Sequence, residues 1–248
     1  WTSGAHYSDY GLIVTRTDTS VAKHKGLTVF MVDMRSPGIE IKPIKQLNGE
    51  SDFNEVYFTN VRIPDSYRLG SVGQGWQVCL TTLMNERLAI GGGGPGADVK
   101  LAIDIARTVE INGKPAIEDS AVRAKIAEYH VLEAGLKYNG YRAITALSRG
   151  EIPGPENSIG KLVGAPKLQS IASFCMDLLE EHGVLWDEAQ PLFDGLAQRS
   201  YMGAPGLRIA GGTDEIMTNI IAERVLGLPQ DPRADKGIAF SDIPTGGH

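Results

Sequence analysis

Cysteine is scarce in this chain of 248 residues. The two that occur, Cys79 and Cys175, have neither the number nor the spacing of a disulfide framework or a zinc site. They read most simply as buried small hydrophobes in a reducing, cytoplasmic protein. Long apolar runs are also missing. No stretch approaches the roughly 20 residues of a membrane span, and no basic, apolar leader opens the chain, so no membrane partner is expected. Positive charge is not in excess: 24 Lys and Arg stand against 30 Asp and Glu, a net charge of −6. That balance offers no broad field for nucleic acid or anionic lipid. His6, His24, His130, His182 and His248 form no metal-ligand spacing, and no metal is predicted. The initiator Met is absent too. A chain that starts at Trp1 and runs almost at once into a strand-like segment is expected to be the later part of a longer polypeptide.

What is present is the composition of a folded, globular protein, 42% apolar and 22% charged. Residues 9–64 read as β: "YGLIVTR", "LTVFMV", "IEIKPI" and "FNEVYF" are short runs rich in β-branched and aromatic residues, separated by polar turns that include Asn48-Gly49. From about residue 73 the spacing becomes helical, over 75–110, 117–149, 156–182, 187–200 and 214–226. Strands first and helices afterwards predict a segregated α+β fold. The expected divisions are a β region over 1–72, a helical region over 73–230, and an extended or loose Pro-, Gly- and Asp-rich tail over 231–248.

Within the first helical stretch, "LMNERLAIGGGG" sets a carboxylate beside a guanidinium in an apolar run. At about 100° per residue, Trp76, Cys79, Leu80, Leu83 and Ile90 share one stripe, with Glu86 about 60° to one side of Leu83 and Arg87 about 40° to the other. A carboxylate carried into such surroundings must be paired, or its pKa rises toward the range a general base needs. Two readings follow: a structural ion pair at a helix interface, or a base with its neighbour. The "GGGGPG" that comes next matches G-x-G-x-x-G literally. It follows a helix and lacks β-α-β surroundings, so it is not read as a dinucleotide site; a kink near Pro95 is expected. In "AGGTDEIMTNIIAERVLG", Thr213 is an N-cap, Asp214 and Glu215 suit the first turn, and Ile216, Ile220 and Ile221 form an apolar face. Gly211 and Gly212 before this helix leave backbone N–H groups to face an oxygen-rich ligand.

Four stretches in order, "WTSGAHYSDYGLIVTRTD", "FNEVYFTNVRIP", "GSVGQGWQVCLTTLMNERLAIGGG" and "GGTDEIMTNIIAERVLG", resemble the acyl-CoA dehydrogenase family, and the likeness covers nearly the whole chain. The resemblance implies the remainder of a middle antiparallel β-domain followed by an up-down four-helix bundle, without the N-terminal helical domain. It also implies FAD as cofactor, an acyl-CoA substrate, electron-transfer flavoprotein as acceptor, and a homo- or hetero-tetramer. Most members carry their base in Tyr-Glu-Gly-Thr before the last helix; the matching residues here are Ala210, Gly211, Gly212 and Thr213. A smaller set, similar to isovaleryl-CoA and long-chain acyl-CoA dehydrogenases, places it in a Glu-Arg pair on the first long helix, which Glu86 and Arg87 match. By resemblance, Glu86 takes the α-proton while hydride passes to flavin N5. The Gly211 amide bonds the thioester oxygen, and Arg87 borders the substrate. Trp1 and Ser3 meet the flavin ring, and Thr213 and Glu215 touch FAD.

Two departures weigh against the family's cross-subunit phosphate contacts. Val109 stands where Arg-x-x-Phe-Gly-Lys has its Arg, with Arg107 two residues away. Glu180 and Glu181, in "DLLEEHG", replace glycines of Gln-x-x-Gly-Gly-x-Gly. Both fit a hetero-oligomer of the kind the family uses in steroid side-chain degradation. The alternatives to a catalytic subunit are a non-catalytic partner subunit that keeps the fold, and a helical module unrelated to flavin.

Overall fold

The computed structural model describes residues 1–90, 96–151, 158–185, 192–233 and 235–244, with backbone alone for 84–90. Packing divides the chain into two units, residues 1–86 with 231–248 and residues 87–230.

The first unit holds β1 (Thr2–Ser3), β2 (Tyr10–Arg16), β3 (Leu27–Asp33), β4 (Ile39–Ile44), β5 (Phe53–Phe58) and β6 (Arg68–Leu69). They form two antiparallel three-stranded sheets, ordered β1-β5-β4 and β2-β3-β6. Tyr10 faces Asp33 and Arg16 faces Leu27, while Ile39 faces Phe58 and Ile44 faces Phe53. The turn between β4 and β5 contains Asn48-Gly49, with Gly49 at φ +86°, the left-handed region that Gly enters without a Cβ penalty. Ala5, Val32 and Met34 are buried, with Ile13, Ile39, Ile41 and Val56 packed on them. Helix α1 (Gly75–Ile90) starts against β3. A Cβ on Gly75 would lie 2.7 Å from the Leu27 backbone, so a larger residue there would push the helix off the strand.

The tail, expected to be extended or loose, is anchored to the first unit. The Phe240 and Ser241 amides donate to the Val21 and Thr19 carbonyls at 2.9 and 3.0 Å, and Lys23 pairs with Asp235 at 2.6 Å. The Arg16 guanidinium lies 3.5 Å over the Phe240 ring. An aromatic anchor, an ion pair and two backbone bonds give this Pro- and Gly-rich segment enough partners to offset the entropy of ordering it. By packing, the first unit runs on through Glu86, because the start of α1 sits against β3.

The second unit holds α2 (Val99–Thr108), a short hairpin of β7 (Glu110–Ile111) and β8 (Lys114–Pro115), α3 (Ser120–Ser148), α4 (Ser158–Leu179), α5 (Leu196–Leu207) and α6 (Asp214–Arg224). With α1 they make six α-helices among the described residues, and the strands-then-helices order bears out the α+β expectation. The predicted segment 75–110 is two helices: α1 ends at Ile90, and Asp98 caps α2 by accepting from the Leu101 amide at 2.8 Å. The expected kink at Pro95 lies outside the described residues. Asp119 caps α3 in the same way. Helix α4 is central, packing on α2, α3, α5 and α6. Its inner face presents Ile171, Ala172, Cys175 and Leu179 to Ala102, Ile105 and Ala106 of α2 and Ala197 of α5. Alanines at four of these positions allow close helix approach. Each buried Ile or Leu contributes about 1.5–3 kcal/mol.

Candidate functional site

The candidate residues fall in three places: the start of the β unit, α1 and the lead-in to α6. At the start of the β unit, Trp1 is 83% exposed and Ser3 is also exposed. β1 is held there by its pairing with β5, Thr2 opposite Asn54 and Ser3 opposite Phe53. A second anchor lies underneath. The side chain of Asn54, only 1% exposed, donates to the Thr2 carbonyl at 3.0 Å and the Asp52 carbonyl at 3.2 Å, and its Oδ1 meets His6 Nδ1 at 3.1 Å. A buried amide with its hydrogen-bonding groups engaged fixes β1 more firmly than two ladder pairs alone. Sequence reasoning missed Asn54. The available signal was an Asn inside a strand run, where that residue is disfavoured.

On α1 the side chains of Glu86 and Arg87 lie outside the described residues, so the candidate base is located by its backbone alone. The stripe that defined its surroundings departs from expectation. Trp76 is 38% and Leu83 is 41% exposed, and Cys79 is half-buried. Periodicity identifies which residues share a face and not what covers it. Part of the Trp76 surface is covered by His24, whose ring stacks on it at 4.2 Å.

The lead-in to α6 is the best-defined part of the site. Arg208 and Ile209 amides donate back to the Pro205 and Gly206 carbonyls, and Ala210 to Gly206. Gly211 and Gly212 then take φ +64° and +103°. A Cβ on Gly212 would lie 2.5 Å from Met217 Cε, so this turn requires a residue without a side chain. Thr213 accepts from the Ile216 amide at 3.2 Å and caps α6 as expected. Among the described residues no acceptor takes the Gly211 or Gly212 amide. Those donors therefore remain available at the positive end of the helix. Glu215 is exposed in the first turn, its carboxyl lowered by its backbone amide and by Thr213. Ile216, expected on the inner face, is exposed, and Met217 is the residue buried there.

A second missed group sits behind this turn. Lys161 and Gln169 project from α4 two turns apart. Lys161 Nζ donates to the Arg208 carbonyl at 3.1 Å and stands 3.7 Å from Asp214 Oδ1. Arg208 Nη1 donates to Gln169 Oε1 at 2.9 Å, and its guanidinium is ion-paired with Asp214. Both ends of the 208–214 turn are thus tied to each other and to α4. The Asp214 carboxyl is lowered, mainly by its hydrogen bond from Arg208 and then by the charges of Arg208 and Lys161.

The family's phosphate positions look different. Val109 packs on the apolar core at the end of α2, and Arg107 is exposed. Glu180 takes φ +46°, a left-handed conformation that favours glycine, while carrying a carboxylate. Taken separately, the exposed indole at β1 suits packing on a flat ring and the unclaimed amides at 211–212 suit an oxygen-rich group, while the Glu180-Glu181 turn does not suit phosphate. Burial pushes the Cys175 thiol up to about 12, which removes it as a nucleophile. Among the described residues no group of three His, Cys, Asp or Glu could hold a metal, and no helix is long and apolar enough to cross a membrane.

The family model for the acyl-CoA dehydrogenase C-terminal domain matches residues 73–226. Acyl-CoA dehydrogenase FadE34 of Mycobacterium tuberculosis is 36% identical over 231 residues, 93% of this chain and 30% of that protein. The solved Tcur3481-Tcur3483 steroid ACAD superposes with a TM-score of 0.81 at 25% identity, covering 93% of this chain and 59% of that one. The ChsE4-ChsE5 complex from Mycobacterium tuberculosis shares the fold, with a TM-score of 0.78 at 23% identity over 93% of this chain and 60% of that one. The chain thus spans from 30% to 60% of these proteins' lengths.

Proposed function

The chain belongs to the acyl-CoA dehydrogenase family, and from that premise we propose that it serves flavin-dependent α,β-dehydrogenation of an acyl-CoA thioester, with Glu86 as the base. The observation that carries this reading is the turn before α6. Gly211 and Gly212 hold left-handed φ angles, their amides have no acceptor among the described residues, and the residue in the family's usual base position has no side chain. A carboxylate must then come from elsewhere, and Glu86 on α1 is the one that matches the family's other arrangement. Glu86 removes the proton from the carbon next to the thioester carbonyl. Charge moves onto the carbonyl oxygen, where the Gly211 N–H donates to it. Arg87 steadies negative charge beside the base. FAD, when bound, would supply the hydride-accepting N5; Trp1 and Ser3 would hold its ring, and Thr213 and Glu215 would hold it by α6. Electron-transfer flavoprotein is the proposed acceptor. A cytoplasmic setting accords with Cys79 and Cys175 both being free thiols.

The assembly we favour is a heteromeric tetramer, as the paired naming of Tcur3481-Tcur3483 and the ChsE4-ChsE5 complex suggests for those proteins. Glu180 in a glycine-type conformation and the core-packed Val109 support it, because each removes a phosphate contact from this chain's side of the site. The same two observations favour a second reading, a non-catalytic partner subunit that completes a site held by another chain.

Glu86→Gln in the full-length, flavin-loaded protein with its partner separates the two. Loss of about 10²–10⁴-fold in kcat for an acyl-CoA, with binding retained, is expected of a base. Unaltered turnover assigns the chemistry to the other subunit. A protein that cannot be loaded with FAD in any assembly refutes both.

A further inference from the structure

The clasp of Lys161, Gln169, Arg208 and Asp214 has a part in the proposed chemistry that none of its members plays by touching substrate. The turn it holds is the one carrying the unclaimed Gly211 amide. That turn has little else to fix it. Its two glycines have the widest conformational freedom of any residue, and Gly211 and Gly212 make no backbone hydrogen bond through their amides among the described residues. Rigidity is imposed from its ends. Arg208 is held on one side by Lys161 Nζ at its carbonyl and by Gln169 at its guanidinium, both from α4. Asp214 is held on the other by Arg208 and Lys161 together. The Lys161 and Asp214 side chains are 14% and 17% exposed, so the ion pair works where water screens it weakly. Met217 closes the turn from below, under Gly212.

Resting on the reading that Gly211 N–H bonds the thioester oxygen, we propose that Arg208, Asp214, Lys161 and Gln169 are positioning residues that aim this amide, and so set how acidic the bound thioester's α-carbon becomes. A donor aimed at an oxygen that gains charge is worth far more to the enolate than to the neutral thioester, and a donor free to swing loses that difference. Loosening the clasp should therefore weaken enolate stabilisation while leaving the binding of the CoA portion alone. A clasp that merely stabilised the fold would affect both or neither.

The test uses the full-length, FAD-loaded protein with its partner and acetoacetyl-CoA, whose bound enolate gives a charge-transfer band with oxidised flavin. Titrating the band against pH gives the apparent pKa of the bound thioester. In Asp214→Asn and in the milder Lys161→Met, this value is expected to rise by about one unit, a tenfold loss of enolate. Affinity for an S-alkyl-CoA thioether, which has no carbonyl, should change by less than about twofold, and Lys161→Arg should restore part of the shift. Lys161→Met leaves the Arg208–Asp214 pair in place and keeps the experiment decisive if Asp214→Asn does not fold. An unmoved pKa with normal thioether binding overturns the inference. So does a thioether affinity that falls in step with the pKa. If the unsubstituted protein takes up FAD and gives no band with acetoacetyl-CoA, the thioester reading itself has failed and the inference falls with it, a result distinct from either variant outcome.

Discussion

Among the turns of the helical unit that bend the backbone into the left-handed region, two do so with sharply different residues. Before α6 the chain uses Gly211 and Gly212, at φ +64° and +103°. After α4 it uses Glu180, at φ +46°. In the first turn the residue type and the conformation agree, and the amides stay open to a ligand. In the second the conformation is glycine's and the residue is a carboxylate, in the stretch where the family's usual sequence has glycines. A left-handed residue thus sits where the family's usual sequence has glycine, and it carries a carboxylate that would repel an anion. Since a non-glycine residue costs about 1–2 kcal/mol in that region, Glu180 is held there by its surroundings. The turn proposed to meet the thioester thus keeps its glycines in this chain, and the stretch matching one of the family's phosphate turns does not.

That contrast is broken most directly at Gly212. Gly212→Ala places a methyl 2.5 Å from Met217 Cε, at a φ that L residues rarely adopt. A loss of about 1–3 kcal/mol in urea denaturation is expected, together with loss of the turn's geometry. A cost near zero would mean the turn tolerates a side chain and is not specific for glycine. Thr213→Ala should cost about 1 kcal/mol through the lost N-cap, with Thr213→Ser close to neutral. Equal effects from the two would indicate packing rather than capping. At the other turn the sign reverses: Glu180→Gly should stabilise the protein by about 0.5–1 kcal/mol by relieving the left-handed residue, against a Glu181→Gly control in the same melt. Destabilisation on Glu180→Gly would show that Glu180 holds a contact that outweighs its strain.

The parts of the molecule governed by neighbours in sequence were legible beforehand. Thr213 caps α6 because a hydroxyl three residues ahead of an orphan amide is a local matter, and Asn48-Gly49 makes its turn for a similar reason. What was not legible depends on residues far apart. Lys161 and Gln169 meet Arg208 across 47 and 39 positions, His6 meets Asn54 across 48, and Lys23 meets Asp235 across 212. No periodicity or motif rule spans such separations. The α1 stripe failed for another reason. Helical spacing correctly groups Trp76 with Leu83, but the inference from a shared apolar face to a buried one assumed a cover, and both residues are more than a third exposed. The case for Glu86 therefore rests on the family match and on the missing side chain at Gly211, and no longer on the polarity of its own helix.

The smallest expected effect is on pH dependence, and it distinguishes the clasp from the tail. The hydrogen bond from Arg208 is the main cause of the lowered Asp214 carboxyl, and hydrogen bonds from Arg233 and Lys23 lower that of Asp235. In each case the folded protein binds the proton less readily than the unfolded chain does. Stability from either pair is therefore fully present above the ordinary aspartate range, near pH ~4, and is lost as pH falls through and below it. Asp214→Asn should flatten the acid side of the stability curve for the helical unit, and Asp235→Asn that for the β unit. Hydrogen exchange separates the two, because amides of α4 and α6 report one and amides of β2 and the 239–241 segment report the other. If acid opens α6 equally in the wild-type protein and in Asp214→Asn, the clasp holds its turn by shape and neutral hydrogen bonds. Its ionic character would then contribute nothing to fixing the Gly211 amide.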